Sequence, residues 1–400
     1  MKILFCLSES PVPPRNGFQL AVWHLLAALE GRHDVRILAL SASDNGAPSR
    51  PSGRREHTEH VRLVDVPHPG VRGDAADLTR SLLLREPLRV RRVSRVMQPL
   101  VRRELTTFRP DVVHVSHSEL ARLGRVLTGQ ASVLACLDAW HRHIEANIEV
   151  SSGTRRIHER LQLPRVKRFE ATEFARFRHL TTVTPEDAAA LRELDPRLDV
   201  RSIPNGVELP DTVWSPRPTR APQLLFHGAM GYAPNIAAAR FLATDVLPRV
   251  RRTLPDAVVN LVGRSPAPEV ERLAALDGVR VTGEVESLEP WMADASVYVC
   301  PMISGTGIKN KLLEAFAHGV PSVATPLALQ GIAAIPERDV LVGSSGAELA
   351  DQLVRGLTDP ALAVALGARG RALVETGYTW DAVGRAYEEV YAAAIATRRS

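Results

Sequence analysis

The sequence predicts an α/β protein made of parallel sheets in two halves. Three observations carry that reading. Short β-branched and apolar runs alternate with amphipathic helical stretches, the rhythm of βαβ units. Two of these runs lead into glycine positions that open helices, one before Gly17 and one before Gly305-Thr306-Gly307. A segment with three prolines, Glu208–Ala221, separates the halves. At 400 residues and 45% hydrophobic, the chain is long enough for two or three domains with sizeable cores.

The first half opens with a buried strand, Lys2–Leu7. Ser8–Gly17 follows as a loop with three prolines, and Gly17 starts an amphipathic helix to about Glu30. His33–Leu40 is the next strand. The unit is nucleotide-like, although no G-x-G-x-x-G dinucleotide fingerprint follows the first strand. Ser41–Glu59, rich in Gly, Pro, Ser and charge, reads as a surface loop. Val61–Val66 is a strand. Asp77–Phe108 is helical, with breaks expected at Pro87 and Pro99. Its arginines, from Arg80 to Arg103, make either a membrane-surface or acidic-acceptor patch or an ordinary solvated face.

Asp111–Val115 and Val133–Leu137 are two further strands. His114 and His117 belong to the end of the first; Asp138, Trp140, His141 and His143 follow the second. Carboxyl ends of parallel strands are where ligand and catalytic groups sit. A lone histidine is more often structural, whereas a strand-end carboxylate such as Asp138 is costly to bury without a partner. Arg155–Arg178 reads as a long basic helix interrupted near Pro164, and Leu180–Thr184 as a strand. Thr184-Pro185 has N-cap and N1-proline chemistry for a helix to about Leu194. Val200–Ile203 closes this half.

In the second half Gln223–Phe226 is a strand that runs into the glycine turn His227-Gly228-Ala229-Met230-Gly231. Val258–Val262 is the next strand, followed by Gly263 and Arg264. Gly278–Thr282 is another, and Glu289–Ala295 a short helix. The densest stretch is Ala295–Thr325, which reads as strand, glycine loop, helix, strand. Gly319 suits the C′ position of its helix, with Pro321 just beyond. The glycines admit backbone N–H groups to an anion, and the helix N-terminus adds partial positive charge. Lys309 and Lys311 suit phosphate oxygens. Lys311, Glu314 and His318 share a helix face, so Glu314 can accept hydrogen bonds from sugar hydroxyls. That chemistry predicts a phosphorylated sugar or a nucleotide as ligand. Helices over Ala347–Leu357, Ala361–Thr376 and from Gly377-Tyr378-Thr379-Trp380 onward end the chain.

The run G-T-G-I-K-N-K-L-L-E-A-F-A-H-G-V-P-S-V-A-T resembles the donor-site signature of the GT-B glycosyltransferases of family 4, the glycosyl transferases group 1. Pro204-Asn205-Gly206-Val207-Glu208 is similar to the turn that ends the first domain in that family. The resemblance implies two Rossmann-like parallel-sheet domains facing a cleft. They comprise an acceptor-side domain at 1–205 and a donor domain at 206–379, with a closing helix at 380–400 that crosses back to the first domain. It implies a retaining transfer of sugar from a nucleoside-diphosphate sugar to a hydroxyl or amine of a glycan, lipid or natural product, without a cofactor or metal. By resemblance Glu314 binds the ribose, and Gly17 approaches the donor phosphates. Gly228, Arg264, Gly305, Thr306, Gly307, Ile308, Lys309 and Lys311 complete the donor site. The chain departs from the pattern in three places. Thr306 stands where a first glutamate is usual. Residues 228–239 contain no cation, although the family often places an Arg and a Lys there to hold the diphosphate. Leu137 stands where many relatives carry a histidine before Asp138, so Asp138 and His141 are the candidates to orient the acceptor. These departures keep two alternatives open, a non-catalytic nucleotide-sugar binding partner and a GT-B nucleotide-sugar epimerase.

Composition narrows the partners. The net charge of +5 favours anionic ligands. The arginines lack interleaved aromatics for base stacking, which argues against nucleic acid. No Asp-x-Asp motif or metal-ligand spacing is present. Cys6, Cys136 and Cys300 lie in apolar runs and read as buried free thiols of a reducing compartment. The apolar run Ile3–Leu7 is too short for a signal-peptide core, and no stretch approaches the ~20 residues of a spanning helix. A cytoplasmic protein is expected, with peripheral contact at the inner membrane face through the Arg80–Arg103 helix.

Overall fold

The computed structural model describes residues 1–12, 14, 17–41, 61–65, 88–216 and 221–399. The expected loop at Ser41–Glu59 lies outside them apart from Ser41, as does the stretch before Leu88 with Arg80 and Arg85. The chain divides into two compact units, Met1–Pro204 with Val383–Ser400, and Asn205–Ala382.

The first unit contains a seven-stranded sheet in the order β3-β2-β1-β4-β5-β6-β7. Its strands are β1 (Lys2–Leu7), β2 (Asp34–Ser41), β3 (Val61–Asp65), β4 (Val112–Ser116), β5 (Ser132–Leu137), β6 (His179–Thr182) and β7 (Val200–Ser202). All pairings are parallel, with Ile3 opposite both Val35 of β2 and Val112 of β4. Side chains of β1 and β4 are buried on both faces, as parallel strands between helical layers must be. The second unit contains a six-stranded sheet in the order β10-β9-β8-β11-β12-β13. Its strands are β8 (Gln223–His227), β9 (Val258–Val262), β10 (Val279–Val281), β11 (Val297–Cys300), β12 (Ser322–Ala324) and β13 (Leu341–Val342). These too pair in parallel. Each unit is therefore a Rossmann-like α/β layer. In each sheet the strand order reverses once, between β1 and β4 and between β8 and β11. Such reversals leave a crevice at the carboxyl ends of the two strands.

Two helix expectations are corrected. The helix Leu88–Thr107 continues through Pro99, and Gly153–Glu173 continues through Pro164. A proline removes one backbone hydrogen bond and crowds the preceding turn. Packing outweighs that cost here: Val90, Val93, Met97 and Val101 of the first helix, and Val166 and Phe169 of the second, are buried. Other elements went unread in the sequence. They include the helix Trp140–Val150, and Ala233–Phe241, which continues through a π-helical turn, Leu242–Val246, into Leu247–Thr253.

The last helix, Trp380–Arg399, starts in the second unit and contributes Val383 onward to the first. In the first unit Tyr391 donates or accepts at 2.8 Å from His114 Nδ1, and His114 stacks on Phe5 with ring centroids 4.4 Å apart. Burial holds the His114 imidazole down to about 3, so it is neutral and structural. In the second unit the Trp380 ring covers Gly206, where a Cβ would lie 2.5 Å from the indole.

Candidate functional site

The helix Asn310–Ala317 places the second unit's charged groups. Its apolar face, Leu312, Leu313 and Phe316, is buried, which turns Lys311, Glu314 and His318 together toward the opposite side. A Schellman cap ends it: the Val320 N–H donates to Ala315 O at 3.0 Å and the Gly319 N–H to Phe316 O at 2.9 Å, with Gly319 at φ +74°.

Glu314 meets the end of β8. His227 Nε2 lies 2.6 Å from Glu314 Oε2. The His227 side chain is buried, while a third of the Glu314 side chain remains exposed. Burial works to raise the Glu314 pKa, but the His227 hydrogen bond and the charges of His227, Lys311 and His318 outweigh it and hold the carboxyl below its ordinary value. Glu314 is thus a carboxylate at neutral pH with lone pairs left for a ligand. The other ring nitrogen of His227, Nδ1, is buried with no hydrogen-bond partner.

Lys311 fills the gap left by the cation-free turn. Its ammonium lies 4.7 Å above the Phe226 ring and donates to Asn235 Oδ1. Asn235 Nδ2 in turn donates to Ala229 O at 2.9 Å. A Cβ at Gly228 would come within 2.9 Å of both Lys311 Nζ and Asn235 Nδ2, so the turn admits the lysine only because residue 228 is glycine. Burial lowers the Lys311 pKa to about 8. Gly263 locks the next turn against this one: a Cβ there would meet Gly228 O at 1.8 Å. Arg264, directly after it, is exposed, and its carbonyl accepts from the Met230 N–H at 2.9 Å.

In the loop after β11, Gly305 and Gly307 adopt positive φ of 99° and 72°, which glycine permits. Thr306 and Ile308 are half-buried. Lys309 differs from the expectation of a phosphate cation. It is 6% exposed and turns inward, donating to Thr306 O at 3.1 Å and Gly307 O at 2.6 Å. Those carbonyls stabilise the loop's bend by holding the ammonium.

In the first unit Gly17 is exposed at a helix start, with open space where a Cβ would point. Asp138 is half-buried just past β5, where Leu137 takes φ +66° and the register with β6 shifts. His141 is corrected from an acceptor-facing group to a buried clamp. It is 4% exposed, and its Nδ1 lies 2.7 Å from the carboxylate of fully buried Glu170. The same carboxylate accepts from the Trp140 N–H at 2.7 Å and caps the helix that starts there. Among the described residues no cluster of three or more His, Cys, Asp or Glu side chains could hold a metal ion. The three cysteines are free and buried, and burial pushes the Cys300 thiol up to about 11.

His227, Asn235 and Phe226 went unread as site residues in the sequence. A signal was present for the first, a histidine ending an apolar strand immediately before a glycine.

The site is thus a carboxylate and an ammonium beside glycine turns, at the strand-order reversal of a parallel sheet. Comparison with known proteins bears on the chain that carries it. Residues 221–359 match the profile described as glycosyl transferases group 1, and residues 16–206 match that of the glycosyl transferase 4-like domain. Over these two stretches the chain is similar to the glycosyl transferases group 1 and to the glycosyl transferase 4-like domain. It is 30% identical over 157 residues to a phosphatidyl-myo-inositol mannosyltransferase of Propionibacterium freudenreichii, covering 38% of this chain and 39% of that protein. It is also 30% identical over 152 residues to a GDP-mannose-dependent monoacylated alpha-(1-6)-phosphatidylinositol monomannoside mannosyltransferase of Corynebacterium glutamicum, covering 34% and 39%. The chain spans about two fifths of the length of these curated relatives. In fold it is similar to sucrose-phosphate synthase from Thermosynechococcus elongatus, with a TM-score of 0.70 at 17% identity over 99% of this chain and 100% of that one. The fold is of the GT-B type.

Proposed function

We propose that this chain transfers a sugar from a nucleoside-diphosphate sugar to an acceptor hydroxyl or amine, with retention at the anomeric carbon and without a metal. The observation that carries this reading is the meeting of Glu314, His227 and Lys311 at the glycine turn of Gly228. Glu314 accepts hydrogen bonds from the ribose hydroxyls. Lys311 and the amides of the Gly228–Gly231 and Gly305–Ile308 loops carry the charge that develops on the leaving diphosphate. As the bond from the anomeric carbon to the diphosphate breaks, the new bond to the acceptor oxygen forms on the same face. The acceptor proton passes to the departing phosphate oxygen, so no protein nucleophile is required. Asp138 orients the acceptor. The named relatives favour a guanosine diphosphate sugar, mannose first, and a polyol head group of a lipid as acceptor. The lipid acceptors in those names also favour work at a membrane surface. No described helix is long and apolar enough to cross one.

A metal-free thermal-shift panel with UDP, GDP, ADP, CMP and dTDP tests the donor site. A ligand at ~100 times its dissociation constant adds about 2.7 kcal/mol of stability. A selective shift with one diphosphate is expected, followed by turnover when the matching sugar nucleotide and acceptor are supplied. No shift with any of them overturns the donor assignment. Binding without transfer across an acceptor panel favours the non-catalytic reading, and acceptor-independent conversion of the sugar favours the epimerase.

A further inference from the structure

We propose that the helix Gly153–Glu173 carries a docking face for bilayers that contain anionic lipid. One side of this helix packs into the first unit through Val166, Phe169, Glu170 and Glu173. The opposite side is unlike that of an ordinary surface helix, which is polar outward. Ile157 and Leu161 stand one turn apart, and each exposes 60% of its surface. Exposed Pro164 and Arg168 continue the stripe at three- and four-residue steps. Arg160 lies beside it, exposed, and Arg165, half-buried, lies on the other flank. Glu159 is the only carboxylate between Gly153 and Arg165, and it stands two residues from both Ile157 and Leu161, on the other side of the helix. The outward face is therefore apolar over Ile157, Leu161 and Pro164, with Arg168 at its end and Arg160 and Arg165 along its edges.

That combination selects its occupant. Apolar side chains set among arginines are the pattern of a helix lying in a bilayer interface, with its apolar centre at the acyl boundary. Guanidinium forks pair with phosphodiester oxygens, and their long stems let the charges stay at head-group level. The stripe has no aromatic residue on which a base could stack, so single-stranded nucleic acid fits it poorly. The arginine helix Leu88–Thr107 does not compete for this role on its apolar side, because Val90, Val93, Met97 and Val101 are already buried in the first unit. The inference is independent of the sugar-transfer reading, since it rests only on exposure and charge in the first unit.

Vesicle co-sedimentation of the full chain tests it, using phosphatidylcholine vesicles with and without phosphatidylglycerol at about one third of the lipid. The wild type is expected to bind the anionic vesicles, less so as salt rises, and to leave the neutral ones. I157S/L161S should lower the partition coefficient roughly tenfold at an unchanged melting temperature. R160Q/R165Q/R168Q should flatten the salt dependence. Failure of the wild type to bind anionic vesicles overturns the proposal, as does equal binding by I157S/L161S. A wild-type mass twice the monomer's in light scattering, returned to monomer by I157S/L161S, would assign the face to a second copy and overturn it as well.

Discussion

His227 Nε2 and Glu314 Oε2 stand 2.6 Å apart, one at the end of β8 and the other on the helix Asn310–Ala317. The bond fixes a carboxylate whose remaining surface reaches solvent. Glu314→Ala should weaken nucleoside-diphosphate binding by about 1.5–3 kcal/mol, the range for hydrogen bonds to a charged group. His227→Phe removes the bond that lowers the Glu314 pKa, so burial will raise it. Its affinity loss should then be larger at mildly acidic than at mildly basic pH. Calorimetric titration of both variants and the double variant checks this. Equal, additive losses would show that the two side chains act separately.

Lys311 predicts the opposite limb of the pH profile. Its pKa is lowered to about 8 by burial, so the ammonium proposed to face a diphosphate is lost as pH rises through that value. Affinity should fall there, by roughly tenfold per pH unit once the group is neutral. The free protein behaves in the reverse sense. The unfolded lysine binds its proton up to a higher pH than the folded one, so this group makes stability rise between about 8 and the ordinary lysine value. Lys311→Met should remove both slopes, read by titration and by urea unfolding.

Gly263→Ala should destabilise the second unit by about 1–3 kcal/mol, the usual cost of overpacking. The added Cβ has nowhere to go, since Gly228 O lies 1.8 Å from its position. Urea unfolding measures the loss. The contrast is Gly17→Ala, where a Cβ meets nothing within 4 Å and folding stability should be unchanged.

His114 sets an acid limit on the first unit. Its imidazole is buried and held down to about 3, while in the unfolded chain it titrates near its ordinary 6.5. Between those values the unfolded state binds the extra proton, so stability falls as pH falls, by about 1.4 kcal/mol per pH unit for this group. His114→Gln should shed that part of the slope. Unfolding midpoints across this pH window decide it.

The central strands, among them β1, β4 and β8, were legible because they are buried on both faces and so appear as unbroken apolar runs, whereas the two-residue β13 went unread. Thr184 was legible as a cap for a local reason: its hydroxyl accepts from the Asp187 N–H three residues on, at 3.1 Å. Gly319 was legible in the same way. What escaped depends on distant partners. Pro99 and Pro164 read as breaks because local chemistry disfavours them, while the packing that overrides it lies elsewhere in the chain. Glu314 and Lys311 stood out by spacing on one helix, but their partners His227 and Asn235 are separated from them by 87 and 76 residues. Lys309 and His141 differ from the sequence expectation in the partners they have in the structure. Their charge and place suit a ligand, whereas loop carbonyls hold the Lys309 ammonium and Glu170 holds the His141 ring.

The helix that starts at Trp380 has a consequence for how the protein comes into being. Residues 383–400 complete the first unit, yet the ribosome makes them after the whole of Asn205–Ala382. Until then Phe5 and His114 lack Tyr391. The core of the first unit is therefore completed by residues made later than those of the second.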